Sequence, residues 1–321
     1  MTKKLAESLI QQMELPAIAS PMFLVSSKEM VIESCKAGIM GSFPLANART
    51  LEDLDEWMTA ITESLSAAKK DSDGKIGPWA VNIAVHRTNK RYDEELEFIK
   101  KYQPPVVITS LGNPSRVADV VHNYGGLVFS DVINLKHAKK AAEGGTDGLI
   151  LVCNGAGGHA GSHNPFAFLN TVKEFWNGIT ILAGGISTGR DILAAKVMGA
   201  DFAYMGTRFI ASKESLANSD YQKILIESSL EDVIYTDVFS GVNANYLVPS
   251  LERVGIDPKH LPTKQEFDWS KTSGKKIKAW KDIWSAGHGV GSVKQTESIA
   301  EIVEQLKKEY KESNKTIEAV N

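Results

Sequence analysis

The chain has 321 residues, of which 43% are hydrophobic, and 36 basic against 39 acidic side chains give a formal net charge of −3. This near balance disfavours a polyanion-binding surface, so no nucleic acid is expected as a partner. Cys35 and Cys153 are far apart and in no CxxC arrangement, which fits a reducing cytoplasm. No apolar run approaches the ~20 residues needed to span a bilayer. The N-terminus also lacks the apolar core of a secretion signal, so we expect a cytoplasmic protein without a membrane partner.

Eight short apolar segments, each followed by Gly, Ser or Asn, alternate with amphipathic stretches along the chain. The predicted strands are Ala17–Phe23, Gly38–Phe43, Trp79–Ala84, Val106–Leu111, Gly126–Asp131, Gly148–Cys153, Thr180–Gly185 and Phe202–Gly206. The predicted helices include Leu51–Ala68, Asp93–Tyr102, Arg116–Tyr124, Leu135–Glu143, Pro165–Trp176 and Gly189–Met198. Continuous apolar character is typical of strands covered on both faces. Eight strand–helix units indicate an α/β protein, a (β/α)8 TIM barrel.

A doubly wound Rossmann sheet is the alternative fold. Its glycine fingerprint should follow the first strand, but here that strand runs into Pro-Met-Phe-Leu-Val-Ser, without any glycine. The barrel is therefore favoured.

The C-terminal part departs from the strand–helix rhythm. Residues 231–274 hold turn signals and no strong period, so they are interpreted as a small insertion or cap, with 1–230 plus 275–321 forming the barrel. Lys275–Gly291 predicts a helix leading into a glycine-rich loop, and Glu297–Lys311 predicts a charged amphipathic helix with a solvated face. The last ten residues are expected to be disordered.

Two glycine-rich loops follow the seventh and eighth predicted strands, where barrels commonly bind a phosphate. They contain Gly184 and Gly185 in one and Gly206 and Thr207 in the other. Glycines allow close approach of the backbone, N–H groups at a helix start point toward a phosphate, and Thr207 adds a hydroxyl donor. The loops indicate a phosphate of either a substrate or a cofactor.

A third glycine-rich loop, Gly155–Gly161, follows the sixth strand and contains His159 among small residues. Such a loop makes sense where the chain passes close to a flat ligand. Histidine exchanges its proton near neutral pH, so His159 is the predicted reaction centre. His288, in a late glycine-rich loop, could be functional or not.

Other polar side chains lie at strand ends: Asn82, Ser110, Ser130 and Asp131. Each could hydrogen-bond a cofactor or cap the next helix, although about ten residues separate Asn82 from its helix, so capping explains it poorly. No carboxylates and histidines cluster at ligand spacing, so no metal is expected.

The chain resembles the nitronate monooxygenase family, formerly called 2-nitropropane dioxygenases, which are FMN-dependent barrels. The resemblance spans about residues 16 to 295. Its motifs are ASPMF at 19–23, AGIMGSFP at 37–44, VN at 81–82, GAGGHAG at 155–161, LAGGISTGRDILAAKVMGADFAYMGTRFIA at 182–211 and AGHGVG at 286–291.

The resemblance implies roles for individual residues. Pro21, Met22 and Phe23 would lie along the flavin ring and Asn82 would hydrogen-bond it. Gly184, Gly185, Gly206 and Thr207 would hold the FMN phosphate, and His159 would be the active-site histidine. The remaining residues expected at the cofactor are Ser130, Asp131, Ala156 and Gly158.

The implied reaction is oxidation of an alkyl nitronate, such as propionate 3-nitronate, by O2 to a carbonyl compound and nitrite, without NAD(P)H. Two departures matter. The run Asn154-Gly155-Ala156 resembles only one subgroup, and the late loop has His288 where the family commonly has Gln. If His288 lines the substrate pocket, substrate choice could differ.

Alternative functions stay open at this point. One is an NAD(P)H-using, FMN-dependent reductase of the enoyl-acyl-carrier-protein or quinone type, since barrel flavoenzymes bind nicotinamide without a Rossmann fingerprint. Others are a flavin-binding protein without activity and a flavin-free aldolase or isomerase, for which no Schiff-base lysine or paired acids are evident. A homodimer stays open as the oligomeric state.

Overall fold

The computed structural model describes residues 2–71, 74–261 and 279–319. Eight parallel strands close into a barrel, in which the first strand pairs with the second on one side and with the last on the other. The barrel strands are β1 Ala17–Ala19, β2 Met40–Pro44, β3 Trp79–Ala84, β4 Val106–Ser110, β5 Leu127–Val132, β6 Gly148–Val152, β8 Ile179–Ala183 and β9 Phe202–Met205. The predicted (β/α)8 barrel is confirmed.

Most helices lie around the outside of the barrel, whereas the first precedes β1 and places Ala6 and Leu9 in the cluster that fills the barrel interior. The helices are α1 Thr2–Gln11, α2 Lys28–Lys36, α3 Leu51–Asp71, α4 Tyr92–Tyr102, α5 Ser115–Asn123, α6 Leu135–Glu143, α7 Pro165–Lys173, α8 Gly189–Met198, α9 Thr207–Ile210, α10 Ser219–Glu227, α11 Val248–Arg253 and α12 Ile299–Glu318. Short 3₁₀ turns lie at Leu45–Asn47, Leu230–Asp232 and His288–Ser292. Polar side chains begin many helices; for example, Ser27 and Asn134 accept backbone N–H bonds at the starts of α2 and α6.

The strands are buried on both faces, which explains their continuous apolar sequences. Inward-facing residues such as Ile108, Phe129 and Phe202 fill the barrel interior. Their neighbours along the strands, such as Val107 and Val128, pack against the helices instead. Because side chains alternate along a strand, each strand supplies both layers of the core.

A small antiparallel sheet lies outside the barrel. It consists of β10 Val233–Thr236, β11 Ala244–Leu247 and the two-residue strand β7 Gly158–His159, in the order β10–β11–β7. Ala244 pairs with His159 in this sheet. The described part of the predicted 231–274 insertion, residues 231–261, therefore contacts the histidine loop directly, while 262–274 lie outside the described residues.

The helix predicted at the start of Lys275–Gly291, before the glycine-rich loop, is wrong for its described part. Residues 279–287 form turns and an extended segment, with a bridge between Ala279 and Ile283. The reason is long-range pairing: the Leu247 N–H donates to the Trp284 carbonyl at 2.9 Å. An extended segment can make such a bond with a distant strand, and a helix would use the same carbonyl internally. Residues 275–278 lie outside the described residues.

The C-terminal helix is longer than predicted. The predicted helix Glu297–Lys311 is observed as α12, which begins after a Ser298–Glu301 capping box and continues to Glu318. The expected disorder of the last ten residues is thus wrong up to residue 319. Ile302, Val303 and Leu306 are buried in the core cluster that includes residues of α2 and α8, so tertiary packing stabilises the helix.

The contact between α8 and α12 is unusually close at Gly189. A β-carbon at this position would lie 2.1 Å from the Leu306 carbonyl oxygen and 2.4 Å from the Tyr310 nitrogen. The Gly189 N–H also donates to a carboxylate oxygen of Glu309 at 2.7 Å. Glycine is therefore required here because the backbones of two helices meet.

Within the described residues, no helix combines the length and apolar character that crossing a membrane would require.

We expect Gly189→Ala to lower the melting temperature, although alanine is favoured over glycine by about 1 kcal/mol inside a helix. The β-carbon would force apart two backbones that cannot yield like a flexible side chain, and overpacking typically costs about 1–3 kcal/mol. Thermal unfolding checks this. Gly291→Ala is the control, since its β-carbon would meet nothing within 4 Å; equal melting temperatures for the two variants would contradict the proposed packing role.

Candidate active site

All the candidate loops lie at one end of the molecule, because the carboxyl ends of parallel strands share one face of a barrel. The turn after β1 carries Pro21, Met22 and Phe23, of which Phe23 is the most exposed, at 43%. Strand β1 ends at Ala19, earlier than the predicted Phe23, since the chain turns here rather than extending. This turn therefore offers an apolar ledge at the barrel mouth.

A buried amide holds the turn after β1. Asn47 donates to the carbonyls of Met22 at 3.0 Å and Ser26 at 2.8 Å, and accepts from the Leu24 N–H at 2.9 Å. Leu24 has a φ of 61°, a conformation that is costly for a non-glycine residue. Asn47 was not predicted from the sequence, because nothing local links it to a turn more than twenty residues earlier.

Asn82 lies on β3 with its amide group partly fixed. Its Nδ2 donates to the Ile108 carbonyl at 3.2 Å and the Ser110 hydroxyl at 3.3 Å. These bonds orient the side chain toward β4 and fix the position of its amide oxygen, which accepts no hydrogen bond from the described residues. Asn82 thus presents an oriented acceptor and does not cap a helix.

Asp131 faces the barrel interior, two residues beyond Phe129 on β5. Its Oδ1 atom is buried and has no hydrogen-bonding partner among the described residues. Burial raises the pKa of this carboxyl to about 7. On β9, burial and then the nearby Asp131 charge raise the pKa of Tyr204. A titratable pair therefore lies directly above the apolar barrel core.

Ser130 occupies the opposite face of β5. Its hydroxyl lies 2.7 Å from the Thr109 hydroxyl and donates to the Thr146 hydroxyl at 3.0 Å. Thr146 in turn donates to backbone carbonyls of β5 and β6. The structure thus does not bring Ser130 to the mouth, and its placement gives no support to the expected contact with a cofactor.

The two glycine loops after β8 and β9 have backbone geometry suited to close approach by a phosphate. Gly184 and Gly185 have φ values of 121° and 72°, which favour glycine. A β-carbon on Gly184 would lie 2.7 Å from the Asn154 carbonyl oxygen, whereas one on Gly185 would enter open space. At Gly206 a β-carbon would lie 2.7 Å from the Ser20 hydroxyl.

The start of α8 differs from the expected phosphate geometry. The N–H groups of Ser187 and Thr188 donate to the Asp191 carboxylate at 2.9 and 2.8 Å, and the next N–H binds Glu309. Carboxylates therefore already occupy these donors. Thr207 accepts from the Gly287 N–H at 2.8 Å, which leaves its hydroxyl hydrogen free to be donated. Any phosphate would rely on the glycine loops and Thr207.

Residues far along the chain hold the histidine loop in place. The Gly158 N–H donates to the Ser285 hydroxyl at 2.6 Å, and Asn245 Nδ2 donates to the Ala156 carbonyl at 2.7 Å. Ser285 also donates to the Asn245 carbonyl at 2.5 Å. Neither Ser285 nor Asn245 was predicted from the sequence, because no local pattern marks them.

His159 is half-buried, and its burial lowers the pKa of the imidazole. Its Nε2 lies 3.2 Å from the Ser240 hydroxyl oxygen, in the loop between β10 and β11. The Trp280 ring stands edge-to-face to the imidazole, with centroids 5.2 Å apart and planes at 89°. Burial therefore favours the neutral imidazole, and the ring is held from two sides.

His288 is exposed and lies against the histidine loop. Its N–H donates to the Gly155 carbonyl at 2.9 Å, and a β-carbon on Gly155 would lie 2.9 Å from its Nδ1. The φ of Gly155 is 84°, so both the backbone conformation and the nearby His288 ring favour glycine there. The glycine-rich loop of His288 thus meets the histidine loop at one end of the barrel.

The structure brings the predicted residues other than Ser130 to the barrel mouth or to the loops that cover it. Among residues 2–71, 74–261 and 279–319, no group of three or more His, Cys, Asp or Glu side chains could hold a metal ion. The mouth is thus a polar-rimmed site with two histidines on its covering loops, one buried carboxyl and three glycine loops, which is the arrangement of a cofactor-dependent barrel enzyme.

Comparison with known proteins identifies the family. The family model described as nitronate monooxygenase matches residues 6–309. The chain therefore belongs to the nitronate monooxygenase family of oxidoreductases. It is 26% identical to the nitronate monooxygenase of Paraburkholderia phytofirmans, with 93% of each chain covered. It is 24% identical to the nitronate monooxygenase of Neurospora crassa, over 94% of this chain and 90% of that one.

Solved structures share the fold. FabK from Thermotoga maritima aligns with a TM-score of 0.77 at 23% identity, covering 99% of both chains. A nitroalkane oxidase from Streptomyces ansochromogenes also gives a TM-score of 0.77, at 22% identity over 97% of this chain and 99% of that one. At these identities the similarity establishes the barrel architecture alone.

We expect Asp131→Asn to stabilise the FMN-free protein at pH 8 and to have little effect at pH 4. Because the folded-state pKa is raised to about 7, the unfolded chain ionises first as pH rises, so the wild type loses stability between about pH 4 and 7. Asparagine cannot ionise, so the gain at pH 8 should be on the order of 1–2 kcal/mol after allowance for partial solvent access.

Chemical denaturation at the two pH values measures this difference. Asp119→Asn, at an exposed position on α5, is the matched control. An equal stability change for Asp131→Asn at both pH values would contradict the assigned burial of the charge.

Proposed function

We propose that the protein is an FMN-dependent enzyme that oxidises alkyl nitronates, such as propionate 3-nitronate, with O2 to a carbonyl compound and nitrite. The observation that carries this proposal is the position of His159, an oriented histidine on a loop that meets the two glycine loops at the barrel mouth. Membership of the nitronate monooxygenase family supports the same reaction. The small-molecule nitronate and O2 would be its reaction partners.

The residues present fit an FMN phosphate. Gly184 and Gly185 have backbone conformations that side chains disfavour, and the space beyond Gly185 is open. Gly206 lies beside them, and Thr207 retains a hydroxyl hydrogen to donate to an anionic oxygen. These four residues would hold the phosphate.

The mouth also fits the flavin ring, which offers both hydrogen-bond donors and acceptors. Asp131 has a buried oxygen without a partner, and Asn82 presents an oriented amide oxygen. Pro21, Met22 and Phe23 would cover the ring from the β1 side, with Ala156 and Gly158 on the histidine loop opposite. When bound, the flavin would take electrons from the nitronate and pass them to oxygen.

His159 would act on the substrate. In its neutral form it can accept a proton from the carbon acid of a nitroalkane, and once protonated it can hold an anionic nitronate by a charge-assisted hydrogen bond. His288, which lies against the same loop at Gly155, is proposed to contact the substrate, where its imidazole would replace the family's usual Gln.

Oxygen uptake by the purified protein on adding propionate 3-nitronate, with no nicotinamide present, tests the proposal. Uptake with stoichiometric nitrite supports it. The absence of uptake from FMN-loaded protein, together with rapid bleaching of the flavin by NADH or NADPH, would overturn it in favour of the reductase.

We expect His159→Ala to keep the fold and the bound FMN but to lower kcat by about 10²–10⁴-fold on nitroalkanes, the usual contribution of a general base. In the wild type the lowered pKa keeps the imidazole neutral to lower pH, so activity should fall only below the usual histidine range. Steady-state oxygen uptake against pH provides the measurement.

His260→Ala is the control for this variant, since His260 is an exposed histidine that pairs with Asp257 at the surface. A fully active His159→Ala variant would rule out the assigned role.

A further inference from the structure

The imidazole of His159 is held by a serine that no motif marks. Ser240 lies in the loop between β10 and β11, and its hydroxyl oxygen is 3.2 Å from His159 Nε2. The same hydroxyl donates to the Val242 carbonyl at 2.8 Å. A carbonyl oxygen can only accept, so the single hydrogen of the Ser240 hydroxyl is used in this second bond.

The direction of the bond from Ser240 to Val242 determines which nitrogen of the His159 imidazole carries the proton. With its hydrogen given to Val242, the Ser240 oxygen can only accept from His159, so Nε2 must carry a proton. A neutral imidazole has one protonated nitrogen, and the other is an acceptor. We propose that Ser240 is a positioning residue that holds His159 as the Nε2–H tautomer, so that Nδ1 is the nitrogen that accepts the substrate proton.

Contacts around the ring agree with a fixed orientation. Trp280 stands edge-to-face to the imidazole and stacks on Tyr246, whose ring centroid is 5.3 Å away. Strand pairing between Ala244 and His159 fixes the backbone of the histidine on the same sheet. His159 is thus held by strand pairing of its backbone, by the contact of its ring with Trp280 and by the bond from Nε2 to Ser240. Nδ1 is the ring nitrogen without a partner among the described residues.

The proton balance of the step is simple. A carbon acid gives its proton to Nδ1, its electron pair becomes part of the nitronate, and the imidazole becomes an imidazolium with both nitrogens protonated. Nε2–H keeps its bond to Ser240 throughout, and that bond becomes charge-assisted in the imidazolium, where such bonds are roughly twice as strong. Ser240 therefore favours the protonated product of the transfer without touching the substrate.

The task given to Nδ1 rests on the proposed function, whereas the tautomer is a property of the protein and can be measured without substrate. The experiment labels the seven histidines of the FMN-loaded protein with 15N and assigns His159 by comparison with His159→Gln. Imidazole 15N shifts and two-bond couplings to the ring carbons' protons distinguish the two tautomers.

We expect the wild type to show a protonated Nε2 and an unprotonated Nδ1, with a ring N–H proton signal protected by the bond to Ser240. In Ser240→Ala this N–H signal should be lost to exchange, and in Ser240→Thr, which keeps the hydroxyl, it should return. Ser229→Ala removes an exposed hydroxyl just before β10 and should leave the signal unchanged.

Kinetics provide a second measurement. With a nitroalkane as substrate, loss of one hydrogen bond to the ring should lower kcat of Ser240→Ala about two- to tenfold with KM little changed, and Ser240→Thr should recover it. A wild-type Nδ1–H tautomer, or a His159 N–H signal that persists in Ser240→Ala, would overturn the assignment to Ser240. The predicted tautomer in a protein that shows no nitronate-dependent oxygen uptake would instead overturn the proposed function alone.

Discussion

Hydrogen bonds from residues 240–288 determine the shape of the Gly155–Gly161 loop, which has too few side chains to hold itself. Ordering each residue of such a backbone costs about 1–2 kcal/mol. Ser285, Asn245 and the Asn243 carbonyl offset this cost by bonding successive groups of the loop. The C-terminal third of the chain therefore sets where His159 stands, and the barrel alone does not.

The interior of the barrel changes from apolar to polar within one pleat. On β5 the side chain of Phe129 is followed by that of Asp131 on the same face, and on β9 Phe202 is followed by Tyr204. The aromatic layer excludes water from below, which raises the cost of charging the groups above it. The barrel thus places a water-excluding aromatic layer beneath the site, and loop backbone with a few polar side chains forms the rest of the site.

The sequence predicted the barrel well because each strand is buried on both faces and leaves a short apolar run. It also located His159 and the glycine loops, whose composition is unusual wherever they fold. It did not find Asn47, Asn245, Ser285 or Ser240, because these act on segments tens of residues away. The segment before Gly287 has helical spacing in KAWKDIW, yet pairing with residue 247 draws its described part into an extended conformation. Contacts of this range leave no local period to detect.

The packing of α12 into the groove between α2 and α8 bears on how the chain matures during synthesis. Met30 of α2 shares a core cluster with Ile302 and Leu306, which are translated about 270 residues later. At ~5–20 residues per second, the early helix waits on the order of 15–50 s for this partner. Until then the nascent barrel exposes an apolar seam and an unoccupied Gly189 surface. We therefore expect the unfinished polypeptide to depend on chaperones at this seam until α12 has been synthesised and packs against α2 and α8.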